Sequence, residues 1–301
     1  MNTIRIFFIF IITITFFACE KDIDIDVPAG KQWLVVEGYI NNVNRFYNYV
    51  VLSNSVDYFN PNLQGLPVSN ATVTITEGEW RNNQYVWDRN TTVQLRELNF
   101  PGIPSNFRKG VYFDPRLITD SSNALIGRPQ KDYLLEIAFA GKSYSAITRL
   151  LAPVQLDSLS FADSTYDDDD ARYEMQMTCN YKEPDTIGNR YLYFWQWREN
   201  RTNFGWGGLT FSRAPGRDDL VNGQYIRLTH PQGLPVGDTV QYMLTSVTKE
   251  TYNFWDSYQK ARDNNGLFQT PVNLISTIQG TDVIGCFSGF SISTRTQIVK
   301  K

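Results

Sequence analysis

Residues 190–198 constrain the fold more than any other stretch of the chain. Tyr191, Tyr193, Trp195 and Trp197 fall on one parity, and Leu192, Phe194 and Gln196 fall on the other. Successive side chains of a strand point to opposite faces, so a strand here is apolar or aromatic on both sides. It therefore belongs in the middle of a sheet that is covered above and below.

The rest of the chain repeats the strand signal. Strands are predicted at 33–40, where Asn41 and Asn42 close the run, and at 47–53, 68–76, 174–180, 224–229, 238–247 and 289–298. In 68–76, Val73 and Ile75 alternate with Thr72, Thr74 and Thr76, the pattern of a half-buried strand. Residues 85–89 and 91–95 are expected to pair as a hairpin, and 133–139 with 143–148 form another around Ala140, Gly141 and Lys142. Residues 99–127 read as a long loop with one short strand. Gly280, Gly285 and Gly289 bracket Cys286 and suggest tight turns. The expected fold is mainly β, with two β-sandwich-like domains, the first immunoglobulin-like or transthyretin-like. Pro153 and the Leu156-Asp157-Ser158-Leu159 run mark the change of domain, so residues 32–152 and 153–301 are the expected units.

One helix interrupts the strands, over 248–264. Tyr252, Trp255, Tyr258 and Ala261 recur every three residues with Phe254 nearby, which fits a helix lying on a sheet. Thr248 suits the N-cap, Glu250 the first turn and Gly266 the stop.

The first 31 residues carry an address. Arg5 precedes 12 apolar or hydroxylated residues, 6–17, and then small Ala18 and Cys19. That run is too short to span a bilayer, which takes roughly 20 residues, and it suits the core of a cleaved signal peptide, residues 1–18. Phe16-Phe17-Ala18-Cys19 resembles a lipobox, with Phe16 where leucine is usual, so Cys19 is the expected lipidation site and contact with the bilayer. Residues 19–31 then form an acidic tether. Acidic residues directly after the cysteine resemble the export signals of Bacteroidota surface lipoproteins. Outer-membrane attachment facing the exterior is expected, with a periplasm-facing position as the alternative.

Composition narrows the chemistry. The formal charge is −3, and it becomes −4 once the signal with its single Arg and no acid is removed, so nucleic acid has no basic footprint to meet. Cys179 and Cys286 are either buried thiols or a disulfide. The run Asp167 to Asp170 lacks the alternating ligands and sharp-turn glycine of a calcium loop and reads as a solvated segment. His230 is the one histidine; it sits before Pro231 with no nucleophile motif beside it and is expected in an exposed turn. No metal spacing, phosphate loop or catalytic serine motif occurs, and no cofactor is expected. A glycoside-cleaving carboxylate pair is the remaining enzymatic alternative. Trp87, Phe204 and Trp206 are the candidate ligand contacts, Phe204 and Trp206 because they lie in a glycine-rich aromatic loop. Such side chains offer large contact area at low entropic cost.

The order of several segments resembles the Bacteroidota lipoproteins of domain-of-unknown-function family 4249 (DUF4249). These are Cys19 to Asp24, Leu34 to Ile40, Val68 to Ile75, Gly141 to Tyr144, Leu156 to Leu159, Thr251 to Trp255, and Pro271 to Leu274 with Gly289 to Ser291. Together they cover most of the mature chain. The resemblance implies no catalytic residues. It implies a partner of a TonB-dependent transporter; with no catalytic motif and an aromatic loop, the expected role is a non-enzymatic accessory that helps bind or take up a glycan or peptide nutrient, or alternatively a structural or assembly lipoprotein that binds envelope proteins. Ser158, Ser164, Thr186 and Thr239 sit in three-residue patterns that resemble the O-glycosylation sites of Bacteroidota envelope proteins.

Overall fold

The structure is a computed structural model that describes residues 32–56, 66–97, 109–167, 172–198, 210–211, 215–263 and 272–301. The alternation along β1 (Leu34–Asn41) is physical: Leu34, Val36, Gly38 and Ile40 are buried on one parity, as the apolar pattern requires. Its neighbours in sequence are β2 (Tyr49–Asn54), β3 (Thr72–Arg81), β4 (Gln84–Trp87), β5 (Val93–Glu97) and β6 (Val111–Phe113). After a four-residue helix, α1 (Arg116–Thr119), come β7 (Asp132–Phe139) and β8 (Lys142–Arg149). The second half contains β9 (Leu156–Asp167), β10 (Arg172–Lys182), β11 (Arg190–Arg198), β12 (Thr210–Phe211), β13 (Gly216–Arg217), β14 (Tyr225–Pro235), β15 (Thr239–Ser246), α2 (Lys249–Arg262) and β16 (Val283–Ile298).

The mainly β class expected from the alternation is found. One sheet of 13 strands has the order β12-β11-β15-β16-β1-β2-β6-β5-β3-β7-β8, with β13 on β11 and β4 on β3. A second sheet has the order β14-β10-β9. The boundary expected at 152/153 falls between β8 and β9, and the large sheet contains strands from both sides of it.

β16 is the shared strand. Residues 283–290 run parallel to β1, from Leu34↔Val283 to Asn41↔Phe290. Residues 291–298 then pair antiparallel with β15. On one face of this strand Phe287 enters a core built from Val36, Ile40, Val50, Leu52, Val73, Ile75, Leu135 and Ile137. The sheet curls over that core: the Gly289 amide donates to Thr148 Oγ1 on β8 at 2.9 Å. Further along, Tyr191, Tyr193, Trp195, Val240, Tyr242 and Leu244 pack against Leu159, Met175, Met177, Cys179 and Tyr181 of the three-stranded sheet, a second core. On the opposite face of β11, Leu192 and Phe194 lie under α2. Both faces of 190–198 are thus covered, as its sequence demands.

Several expectations need correction. Residues 84–87 and 93–97 do not pair with each other; both pair with β3. The turn that joins β3 to β4 is Asn82-Asn83, whose φ values of 52° and 60° give the left-handed pair a tight hairpin needs. Residues 109–127 hold α1 besides the short strand. The last strand begins at Val283, not 289, because Gly285 and Gly289 mark close approach, not turns. A Cβ on Gly285, where φ is +142°, would overlap the Val36 carbonyl, and one on Gly289 would come within 2.8 Å of the Arg149 carbonyl oxygen.

His230 is also corrected. It is 3 % exposed and lies within β14, with Nε2 3.0 Å from the Tyr242 hydroxyl. The reason is a bulge: Gln176 pairs with Gly233 and Thr178 with Thr229, so three residues of β14 oppose one of β10. Such an irregularity re-aims side chains, and an edge strand tolerates Pro231. Cys179 and Cys286 are both buried thiols with no disulfide, each in a different core.

The helix is where its period puts it. Thr248 caps α2, its Oγ1 accepting from the Thr251 amide at 3.3 Å, and Glu250 stands in the first turn. The proposed stop at Gly266 lies outside the described residues. Thr251, Tyr252, Phe254 and Trp255 are buried against the sheet, whereas Tyr258 is 39 % exposed. Thr248→Ala is expected to cost about 1 kcal/mol through loss of this cap, read as a lower urea midpoint at unchanged slope; an unchanged midpoint would show that sheet packing alone holds the helix. No helix among the described residues is long and apolar enough to cross a membrane.

Candidate functional site

The parity of β1 that does not enter the core should face water, yet it carries Tyr39, and the matching parity of β2 carries Tyr49. These rings, with Phe194, Met243, Phe290 and Ile292 from β11, β15 and β16 and Trp255 from α2, line a cavity of about 240 Å³. The helix makes it concave. Tyr39 lies 5.1 Å from Tyr49 and 5.5 Å from Phe290, centroid to centroid, and Phe290 lies 5.6 Å from Phe194. Trp255 stacks toward Tyr39 at 6.4 Å with planes 24° apart.

Polar groups fix this wall. Trp255 Nε1 donates to Ser288 Oγ at 3.1 Å, and the Tyr39 hydroxyl donates to the Glu37 carboxylate. Asn41 turns the chain out of β1: its Oδ1 accepts from the Val43 and Asn44 amides at 2.9 and 2.8 Å, and its Nδ2 donates to Asn48 Oδ1 at 2.6 Å. That turn delivers Tyr47 and Tyr49 to the rim. Asn42 binds β16 at the same place, accepting from the Ile292 amide at 2.7 Å and donating to its carbonyl at 3.1 Å.

The electrostatics favour neutral groups. Burial, then the Glu37 charge, hold the Tyr39 hydroxyl well above the usual tyrosine range, and the same causes push Tyr49 up to about 12. Burial pushes the Cys286 thiol up to about 11, against hydrogen bonds with Ser288, Thr277 and Thr251 that pull it down. Both tyrosines are therefore protonated at neutral pH. A cavity of this make-up suits an apolar or aromatic group with a polar edge. Its volume, below the 300–1,000 Å³ usual for drug-sized ligands, limits the occupant to a small one. Among the described residues no group of three His, Cys, Asp or Glu side chains could hold a metal ion.

The residues expected from sequence lie elsewhere. Trp87 is on β4, stacked on Tyr85 at 5.1 Å with planes 15° apart, away from the cavity. Cys19, Phe204, Trp206 and the run 168–170 lie outside the described residues. Ser158 is exposed on β9 and Thr186 is exposed between β10 and β11. Thr239 is half-buried at the start of β15, and Ser164 belongs to β9. Nothing in the linear pattern brought Tyr39, Tyr49, Trp255 and Phe290 together. The usable signal was an aromatic residue on the outward parity of both β1 and β2.

The fold and the cavity define a layered, mainly β protein with a helix-covered aromatic pocket on its large sheet. The family described as "Domain of unknown function (DUF4249)" matches residues 20–296, nearly the whole sequence, and the chain belongs to that family. No curated protein matches it.

Proposed function

We propose that the protein is a non-enzymatic lipoprotein, anchored to the outer membrane through acylated Cys19 and facing the exterior. There it serves a TonB-dependent transporter by binding a small nutrient. The aromatic cavity under α2 carries the ligand-binding part of the proposal, because it is preformed, concave and lined by rings with few polar groups. The leader and the acidic tether after Cys19 support the address. Ser158, Ser164, Thr186 and Thr239 are proposed as O-glycan acceptors, with Ser158 and Thr186 at exposed positions.

Affinity purification from detergent-solubilised envelopes, with mass spectrometry, is expected to recover a TonB-dependent transporter as the main partner. An eluate without one would sink the proposed partnership. The variant Tyr39→Ala/Phe290→Ala is expected to remain folded and membrane-bound while slowing growth on the transported nutrient. If deletion of the protein removes the transporter from the membrane and the double variant alters growth on no nutrient, ligand binding is ruled out and assembly of the transporter takes its place.

A further inference from the structure

A second concave site stands apart from the cavity under α2. The hairpin β3–β4 pairs Gly78 with Trp87 and Trp80 with Tyr85, so these four residues share one face. Gly78 leaves the room that the Trp87 ring occupies. The three rings form a ladder: Tyr85 stacks on Trp87 at 5.1 Å and meets Trp80 edge-on at 4.6 Å. Trp80 is nevertheless 49 % exposed and Tyr85 40 %. Large rings left so open on a projecting hairpin mark a contact surface more often than a core.

Facing Trp80 and Tyr85 across a cleft of about 500 Å³ are Asp132 and Arg149 from β7 and β8, and Glu250 in the first turn of α2. Asp132 is fixed, its Oδ2 accepting from the Trp80 amide at 2.9 Å and from Arg149 Nη1 at 3.3 Å. Arg149 spends a second donor on the Gln130 carbonyl at 3.3 Å and has others to offer. The charges of Asp132, Arg149 and Glu250 all act on the Tyr85 hydroxyl, so the ladder and the charged wall enclose one space. The volume lies within the range of small-molecule sites.

We propose that this cleft binds a neutral saccharide, one pyranose ring lying on the Trp80–Tyr85 ladder while its hydroxyls are held by Arg149 and the Glu250 carboxylate. A pyranose has an apolar C–H face to stack and a rim of vicinal hydroxyls to bridge charged groups, which is the combination this cleft offers. Two carboxylates against one guanidinium disfavour an acidic sugar. The site is independent of the transporter partnership and of the cavity under α2.

The test is calorimetric titration of the purified full chain with maltohexaose, cellohexaose and mannohexaose, with a tryptic casein digest as the competing class. At least one saccharide is expected to bind. Trp80→Ala and Glu250→Gln are each expected to weaken that binding about tenfold, and Ile187→Ala, at an exposed position that lines neither cavity, is expected to leave it unchanged. Glu250→Gln lies on α2, outside the hairpin, so it tests the site even if Trp80→Ala disturbs the ladder. Absence of binding to all three saccharides, binding to casein peptides alone, or saccharide binding that survives either single substitution overturns the proposal.

Discussion

Phe287→Ala is expected to destabilise the protein by about 3–5 kcal/mol, the cost of emptying a buried aromatic position, and to lower the melting of both halves together. Phe287 is 1 % exposed and fills the space that Gly38 leaves open; a Cβ on Gly38 would lie 2.9 Å from the ring's Cδ2. Relaxation is limited because the neighbours are backbone-anchored core residues on β1, β2, β3 and β7. A loss of that size is a large share of an ordinary domain's total of about 5–15 kcal/mol. The coupling follows from the strand: the segment that presents Phe287 to the first core continues into the ladder with β15 that borders the second. Ser291 Oγ also donates to the Leu151 carbonyl at 2.5 Å, and the Leu156 amide donates to Ser293 Oγ at 2.9 Å, tying the connection between the halves to the same strand. Calorimetry should show one transition shifted as a whole. Two transitions with only the first displaced would mean that β16 does not couple the cores.

Local signals in the sequence were sufficient where the structure is local. The β7–β8 hairpin follows from Ala140 and Gly141, whose φ values of 51° and 75° complete a tight turn, and α2 follows from a capping threonine and a three-residue period. The cover on both faces of β11 was legible from its own side chains, but its place near the end of the large sheet, beside only the two-residue β12 and β13, was not. The parallel ladder of β1 with β16 was not legible either, since Leu34 and Val283 are separated by most of the chain and nothing local announces a partner. For the same reason Gly285 and Gly289 read as turn residues: a glycine that makes room for a neighbouring carbonyl looks, in sequence, like one that turns.

The candidate site was illegible for a related reason. Tyr39, Tyr49, Phe194, Trp255 and Phe290 each look like packing on their own strand or helix, and only the order of the sheet makes them neighbours. His230 failed differently. Pro231 marks a turn in most contexts, but the bulge opposite Met177 absorbs it and swings the imidazole toward Tyr242. Trp87, a candidate ligand contact in the sequence, stacks on Tyr85, and its neighbours Trp80 and Tyr85 emerge only from the β3–β4 register.

Raising the pH above the ordinary tyrosine value of 10.0 is expected to unfold the protein steeply. Tyr133, Tyr181 and Tyr191 are 1–2 % exposed, and burial above all holds their hydroxyls protonated well beyond that value. Tyr133 donates to Glu77 Oε2 at 3.0 Å, and the Tyr181 and Tyr193 hydroxyls lie 3.1 Å apart in the second core. The folded-state values are raised, so the unfolded chain releases these protons first. Stability is therefore full below pH 10 and falls as pH rises toward the folded-state values, by roughly 1.4 kcal/mol per pH unit for each tyrosine. For three tyrosines the loss between pH 10 and 12 is about 7 kcal/mol, comparable with the whole stability of many domains. Urea titrations between pH 8 and 12 should follow this slope, and absorbance at 295 nm should show phenolate from these residues appearing only with unfolding. Tyr191→Phe should reduce the slope by the share of one tyrosine, roughly 1.4 kcal/mol per pH unit. A stability that stays level to pH 12 would mean that these hydroxyls ionise as readily in the folded chain as in the unfolded one.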